Sequence, residues 1–163
     1  LSPFAFVNEV RRFWDGPIVL SGAIGDGRSV FAAQAIGADL AYIGTRFIAT
    51  REANAQEAHK HMILDAGADD IVCTDAVTGV RANYLKASFA AVGIDPDSLV
   101  AREKGRLNLG GGGKDAKAWR DIWGAGQGVG GIDDIPSAAE CVARLAREYK
   151  TARESTSALP TAA

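Results

Sequence analysis

Two short apolar runs in this sequence are each followed by small residues of the kind that bind a phosphate group. These residues are Ser21, Gly22 and Ala23 after the first run, and Gly44 and Thr45 after the second. At a turn of this composition the backbone N–H groups lie exposed, and a phosphate oxygen can approach them closely. Thr45 adds a hydroxyl that can donate to the same oxygen. The pattern predicts an anion site, although tight turns alone would also explain the glycines.

The elements that would position these residues alternate between strand and helix. The apolar runs at 18–20 and 40–43 predict strands that are buried on both faces, as in a parallel sheet. Apolar residues at helical spacing predict helices at 3–14, 28–37 and 54–66. This alternation, with short loops, favours an α/β fold of parallel βαβ units with right-handed crossovers. The two strand ends then lie side by side, where (β/α)₈ barrels build their phosphate site from the loops after strands 7 and 8.

After residue 70 the alternation stops. Strand-like pieces at 71–74 and 77–80 are followed by predicted helices at 83–92, 116–123 and 136–150. In the helix at 116–123, Trp119 and Trp123 are four residues apart on one face, and we expect them to anchor a core. We expect the four glycines at 110–113 to form a linker.

Composition excludes several classes of function. The net charge is −2, and the Lys and Arg residues are scattered rather than interleaved with aromatics, so we expect no nucleic-acid partner. No apolar run approaches the roughly 20 residues of a membrane span, and residues 1–12 do not resemble a signal peptide. Cys73 and Cys141 lack metal-ligand spacing, so we expect both thiols to be reduced, inert and buried in a cytoplasmic protein.

Several motifs together resemble the nitronate monooxygenase family, also called 2-nitropropane dioxygenases, which are FMN-dependent (β/α)₈ barrels. The matching segments are SGAIGDGR at 21–28, AIGAD at 35–39, GTRFIAT at 44–50 with Glu52, Thr78-Gly79 with Arg81, and GQGVG at 126–130. The resemblance extends over about residues 1–150, and the combination is far more specific than any single glycine motif. It implies that the chain is the C-terminal half of such a barrel with a helical and loop extension.

The resemblance also implies a division of the chain and a set of cofactor ligands. Residues 1–70 would be barrel units 7 and 8, preceded by the end of unit 6. Residues 71–150 would form an extension packed on the barrel, and residues 151–163 a flexible tail. The FMN phosphate would be bound by Gly22 and Ala23 from the first strand end and by Tyr42, Ile43, Gly44 and Thr45 from the second, with Ser21 as an added hydroxyl donor.

Two positions depart from the family pattern, which commonly has Ala and Gly where Ser21 and Ala23 stand. Donation by the backbone N–H of Ala23 survives that change if φ is negative there. Gln127 borders the active site if the segment that contains it folds back to the barrel mouth, and otherwise stabilises its own loop. Arg46 is expected to be a surface ion-pair partner, with a role near the phosphate as the alternative.

The catalytic residues are not assigned in this chain. In the family a histidine base precedes the helix that begins here near Ser2, so we expect it upstream of Leu1. His59 and His61 are expected at the surface on the helix after Thr45, away from the strand ends. Because a closed barrel needs roughly 200 residues or more, we expect this chain to be a fragment that binds flavin weakly alone.

Three functions remain open at this point. The first is FMN-dependent oxidation of nitroalkanes or alkyl nitronates with O₂. The second is an FMN-dependent reductase fed by NAD(P)H, of the enoyl-reductase or steroid-ring type. The third is a barrel that binds a phosphorylated ligand without redox chemistry. Each takes a small-molecule substrate, and the sequence does not indicate the oligomeric state.

Overall fold

The computed structural model describes residues 2–99 and 120–157, and the fold is α/β. The helices are α1 (Pro3–Arg11), α2 (Gly27–Ala35), α3 (Thr45–Ile48), α4 (Glu57–Asp65), α5 (Lys86–Ala91) and α6 (Ala138–Ser157). The strands are β1 (Val19–Ser21), β2 (Leu40–Tyr42), β3 (Ile71–Thr74) and β4 (Ala82–Leu85). Short 3₁₀ turns lie at Ala68–Asp70, Pro96–Ser98 and Gln127–Gly131. None of the helices in these ranges is long and apolar enough to cross a membrane.

The first part of the chain is the predicted parallel βαβ unit. β1 and β2 pair in parallel with Val19 opposite Leu40 and Ser21 opposite Tyr42, and α2 connects them. Leu20 is buried in a core with Ala33 and Ala38, because its side chain points towards α2. The opposite face was expected to be buried as well, but Val19 is 54% exposed. Within the described residues this two-stranded sheet is therefore covered on one face only.

Helix α6 packs across α2. It begins at a capping box, in which the Ser137 hydroxyl accepts from the N–H of Glu140 and the Glu140 carboxylate accepts from the N–H of Ser137. It does not end near Lys150, where the flexible tail was predicted. It continues to Ser157, since Lys150 pairs with Glu154 one turn on and Arg153 lies over the Tyr149 ring. Residues 158–163 lie outside the described residues.

The second part is built on an antiparallel hairpin. β3 pairs with β4, with Ile71 opposite Leu85 and Cys73 opposite Asn83. The predicted strand at 77–80 is wrong, because Thr78 turns the chain there by hydrogen bonds to the backbone of Val80. The predicted helix at 83–92 is correct only from Lys86 onward. Residues 82–85 are strand instead, because Tyr84 and Leu85 are buried in the sheet.

The predicted helix at 116–123 is absent from its described end. The carbonyl of Trp123 accepts from Leu85 N–H, and Gly124 forms an isolated bridge with Tyr84, so this segment follows the hairpin as extended chain. Trp119 and the glycines at 110–113 lie outside the described residues.

One hydrophobic cluster joins residues on both sides of the predicted domain boundary at residue 70. Ile63 of α4 packs with Ile71 of β3, Leu85 of β4 and Val129 of the last 3₁₀ turn. We refer to this group as the hairpin core. Helix α4 therefore belongs with the hairpin, whereas α6 is the helix that packs on α2.

Candidate functional site

The two strand ends form one pocket. Its volume is about 140 Å³, and it lies where β1 and β2 both terminate. The lining residues are Ser21, Gly22, Ala23, Ile24, Tyr42, Gly44, Thr45, Gly126, Gly128 and Ile132. Six of the seven predicted cofactor ligands lie in this lining. The seventh, Ile43, lines a separate cavity of about 460 Å³ with Phe47 and Leu145.

The backbone at the first strand end has a left-handed conformation and leaves its N–H groups without an acceptor. Gly22 has φ of 104° and Ala23 has φ of 55°, both in the left-handed region. Neither their N–H groups nor that of Gly44 donates to an acceptor in the described part of the chain. A Cβ placed on Gly22 or Gly44 would meet no atom within 4 Å, so open space faces both residues. This combination of unpaired donors and open space suits an anion.

Ala23 departs from what the sequence suggested for it. Its φ is positive, so the condition set for donation by an alanine at this position is not met. The Ala23 N–H still has no acceptor within the described chain, so it stays available as a donor at the cost of backbone strain. A non-glycine residue in this region costs about 1 kcal/mol or more. Among the described residues, Ala23 is the only non-glycine with positive φ. Strain confined to a binding loop is a common feature of functional sites.

The N-terminus of α2 does not contribute free donors to the pocket. The Asp26 carboxylate caps the helix by accepting from the N–H of Ser29 at 2.6 Å. The Glu148 carboxylate of α6 accepts from the N–H of Gly27 at 2.8 Å. These two carboxylates already satisfy the positive end of the helix dipole. The open donors therefore belong to the strand ends.

A glycine-rich segment from much later in the chain closes one side of the pocket. The N–H of Gly126 donates to Oγ1 of Thr45 at 2.8 Å. Gly128 lies against the backbone of Ala23, where an added Cβ would come within 3.1 Å of the Ala23 carbonyl. Gln127 is exposed and stands between these two lining residues. Sequence reasoning singled out Gln127 but missed Gly126 and Gly128, although the glycine spacing in GQGVG was the available signal.

Arg46 was expected at the surface but is buried, with 3% of its area exposed. It donates to the carbonyl oxygens of Ala49 and Asp134 and pairs with the Asp134 carboxylate at 3.2 Å. Arg144 of α6 binds the same carboxylate with both of its terminal nitrogens. The Arg144 hydrogen bonds, with the charges of Arg144 and Arg46, hold the pKa of Asp134 below its usual value. Arg46 therefore links the second strand end to the segment that precedes α6.

Neither histidine lies at the pocket, and only His61 is at the surface as predicted. His59 is half-buried because its ring stacks on Trp123 at 5.2 Å and its Nε2 lies 3.1 Å from the Gly124 carbonyl oxygen. Burial lowers the pKa of His59, although the hydrogen bond to Gly124 opposes the shift.

The two cysteines also differ from each other. Cys141 is buried as expected, but Cys73, on β3, is exposed.

Comparison with known proteins gives a family for this arrangement. Residues 2–148 match the family model described as nitronate monooxygenase. A nitronate monooxygenase from Paraburkholderia phytofirmans is 33% identical over 94% of this chain and 43% of its own length. The putative monooxygenase Rv1533 from Mycobacterium tuberculosis is 30% identical over 82% of this chain and 39% of its own length. The chain thus spans less than half the length of these curated relatives.

Solved structures are similar over nearly the whole chain. A mutant FabK from Thermotoga maritima superposes with a TM-score of 0.71 and 27% identity, over 96% of this chain and 49% of the other. A structure described as nitroalkane oxidase from Streptomyces ansochromogenes gives a TM-score of 0.67 at 24% identity, over 94% of this chain and 45% of the other. At 24% identity, the similarity to the nitroalkane oxidase shows only that the two chains share a fold. With a family model that matches almost the entire chain, this protein belongs to the nitronate monooxygenase family.

Proposed function

We propose that this chain supplies the phosphate-binding strand ends of an FMN-dependent oxidoreductase of the nitronate monooxygenase type. In this proposal the chain is the C-terminal half of a (β/α)₈ barrel, and β1 and β2 are its strands 7 and 8. The observation that carries the proposal is the pocket at the two strand ends, where the N–H groups of Gly22, Ala23 and Gly44 have no acceptor within the described chain.

The donor set fits a phosphate monoester. A dianionic phosphate has several oxygens, and each is bound well by short hydrogen bonds from N–H and O–H groups. The backbone groups of Gly22, Ala23 and Gly44 and the hydroxyls of Thr45 and Ser21 would bind the FMN phosphate. Within residues 2–99 and 120–157, no carboxylate lines the pocket to repel it. FMN would supply the electron-transfer chemistry, and these residues would fix its position.

For the reaction, we propose oxidation of alkyl nitronates or nitroalkanes with O₂, supported by the match to the family model described as nitronate monooxygenase. Removal of the α-proton of a nitroalkane needs a general base within hydrogen-bond reach of the reacting carbon. The two histidines of this chain do not line the pocket. We therefore assign the role of general base to neither histidine.

The alternative function is an FMN-dependent reductase that takes electrons from NAD(P)H. This alternative is supported by the superposition on FabK. Its TM-score is higher than that of the superposition on the nitroalkane oxidase. The same phosphate site serves both reactions, so the strand ends do not separate them. Substrate-dependent oxygen uptake with a nitroalkane supports the first function, and NAD(P)H oxidation without a nitroalkane supports the second.

The cofactor is tested by a charge placed at the strand end. Gly44→Asp puts a carboxylate into the open space beside Thr45, where φ of −107° accepts any residue. We expect FMN affinity to fall more than tenfold, which is about 1.4 kcal/mol or more of binding free energy. Gly131→Asp adds the same charge at a position with equally open space outside the pocket. The purified full-length enzyme is titrated with FMN and the flavin fluorescence is followed.

The two variants give a clear decision. A loss with Gly44→Asp but not with Gly131→Asp supports FMN phosphate at the strand ends. Equal affinities for both variants and the wild type would reject it. A colourless full-length protein that FMN does not reconstitute would favour the remaining class, a barrel that binds a phosphorylated ligand without redox chemistry.

A further inference from the structure

The glycine loop, defined as residues 126–131, is anchored in the hairpin core. Val129 is completely buried there, in the same cluster as Ile63 and Leu85. Ile132, directly after the loop, is also buried and lines the pocket. The loop is therefore fixed at its apolar side by a core that the strand ends do not share.

At its polar side the loop touches both strand ends through backbone atoms. The Gly126 N–H donates to Thr45 Oγ1. A Cβ on Gly128 would lie 3.1 Å from the carbonyl carbon and oxygen of Ala23, and one on Gly25 would lie 3.1 Å from the Gly128 carbonyl oxygen. Such separations are shorter than most real Cβ contacts. The backbones approach this closely because glycine occupies each of these positions.

We infer that Gly126 and Gly128 are positioning residues for the phosphate donors of the strand ends. This inference rests on the proposed function and deepens it. The Gly126 N–H donates to Thr45 Oγ1 and so occupies one lone pair of the hydroxyl oxygen. The hydroxyl hydrogen of Thr45 then points away from Gly126 and can donate to a different group. In the proposed complex, the group that accepts from the Thr45 hydroxyl is the FMN phosphate. Thr45 thus donates to the ligand in an orientation that the loop determines.

Gly128 acts on the other strand end. Ala23 holds a left-handed conformation that is unfavourable for alanine, and such a conformation persists when the surrounding structure enforces it. The Gly128 backbone lies against the Cα and carbonyl of Ala23, so a change of the Ala23 φ that swings this carbonyl would meet Gly128. In this inference the contact maintains the left-handed φ, and with it the direction of the Ala23 N–H relative to its carbonyl.

The inference has a specific consequence for ligand choice. Gly126 and Gly128 contact Thr45 and Ala23, which are proposed donors to the phosphate. Changes at these two glycines should therefore weaken binding of FMN but not of riboflavin, which lacks the phosphate. A variant that merely destabilises the fold would weaken both ligands together. The ratio of the two affinities therefore separates positioning from general stability.

The experiment compares Gly128→Ala with Gly131→Ala in the purified full-length enzyme. Both changes add one methyl group to the same loop, but the second meets no atom within 4 Å. Dissociation constants for FMN and riboflavin are measured by flavin fluorescence, with inorganic phosphate as competitor. For Gly128→Ala we expect FMN binding about tenfold weaker, the loss of roughly one charge-assisted hydrogen bond. Riboflavin binding stays unchanged, and Gly131→Ala behaves as the wild type.

A second variant removes the donor and directs the proline ring at its acceptor, Thr45 Oγ1, which lies 2.8 Å from the Gly126 nitrogen. Gly126→Pro deletes the N–H that Thr45 accepts, and the φ of −86° at this position is close to that of proline. We expect the same selective loss of FMN affinity. This variant decides the question if Gly128→Ala does not fold.

Each outcome has one meaning. A selective loss of FMN affinity supports the inference. Unchanged FMN affinity, or an equal loss for FMN and riboflavin, overturns it while leaving the proposed function in place. A wild-type enzyme that binds neither FMN nor inorganic phosphate rejects the proposed function, and the inference with it.

Discussion

The parallel unit and the hairpin region of this protein bury their apolar residues to very different extents. In the parallel unit, formed by β1, α2 and β2 with α6, Leu40 and Tyr42 on the sheet are 61% and 65% exposed. In the hairpin region, formed by residues 57–99 and 120–132, Leu85 and Val129 are completely buried. Parallel strands need cover on both faces and partners at both edges, whereas a hairpin completes its pairing locally. Among the described residues, the hairpin region thus has a fully buried core, whereas the sheet of the parallel unit leaves large apolar side chains exposed.

This difference explains how the candidate site is held. The proposed phosphate donors lie on the parallel unit, which has the less complete core among the described residues. The glycine loop reaches them from the hairpin core, where Val129 fixes it. A rigid support beside a less complete unit is the arrangement expected for a precise binding site. Four pairs of substitutions, each a variant with its control, test this comparison.

The largest effect is expected in the hairpin core. Leu85→Ala removes a fully buried side chain and leaves a cavity, so we expect a loss of about 3 kcal/mol in the free energy of unfolding. Leu40→Ala makes the same change on the open sheet face, where we expect a much smaller effect in the isolated chain. Urea titration followed by circular dichroism measures both. Similar losses would contradict the contrast between the two regions.

The next effect concerns the contact that holds the parallel unit together. A Cβ on Gly27 would lie 2.2 Å from the Leu145 carbonyl oxygen and 2.4 Å from the Tyr149 nitrogen, so Gly27→Ala forces α2 and α6 apart. We expect a net loss of about 2 kcal/mol, since overpacking outweighs the better helix propensity of alanine. Gly67→Ala, whose Cβ meets only Asp70 at 3.7 Å, is the matched control. A thermal midpoint equal to that of the control would show that the helices separate without cost.

A smaller effect, of opposite sign, is expected at the strained strand end. Ala23→Gly relieves the positive φ, but glycine adds backbone entropy to the unfolded chain. We expect a net gain of up to about 1 kcal/mol in stability, measured by urea titration. Ala32→Gly, in the middle of α2, should instead lose about 1 kcal/mol, because glycine is a poor helix former. A loss of stability with Ala23→Gly would contradict the assigned conformation.

The smallest effect is a pH dependence in the hairpin region. Burial lowers the pKa of His59 below 6.5, so the unfolded chain binds the proton more readily. The stability contribution is present above the unfolded pKa and is lost as pH falls through 6.5 towards the folded pKa. We expect His59→Gln to flatten the fall in stability between neutral and mildly acidic pH, and exposed His61→Gln to leave it unchanged. Identical pH profiles for both variants would show that His59 is not desolvated.

Local sequence patterns predicted the parallel unit well. The strands and the connecting helix were found within a few residues, because apolar runs, turn glycines and helical spacing act over short distances. The hairpin was predicted less well. Its second strand was placed at 77–80 rather than Ala82–Leu85, because burial of Tyr84 and Leu85 against distant residues overrides their helical spacing.

The candidate site shows the same division. Residue types at the two strand ends predicted an anion site, and the structure brings six of the seven predicted ligands to one pocket. The sequence patterns did not indicate a role for Gly126 and Gly128, because their contact partners Thr45 and Ala23 are distant in sequence. Sequence reasoning also misjudged Arg46, whose burial depends on Asp134 and Arg144 from the other end of the chain.

The sequence by itself determined the family, the order of the first elements and the residue types at the two strand ends, since each is encoded in short contiguous motifs. Only the tertiary structure decided the left-handed backbone of Ala23, the burial of Arg46 and the closure of the pocket by the glycine loop. These features arise where segments far apart in the chain pack together, and the chain can place such segments only by folding around a shared core.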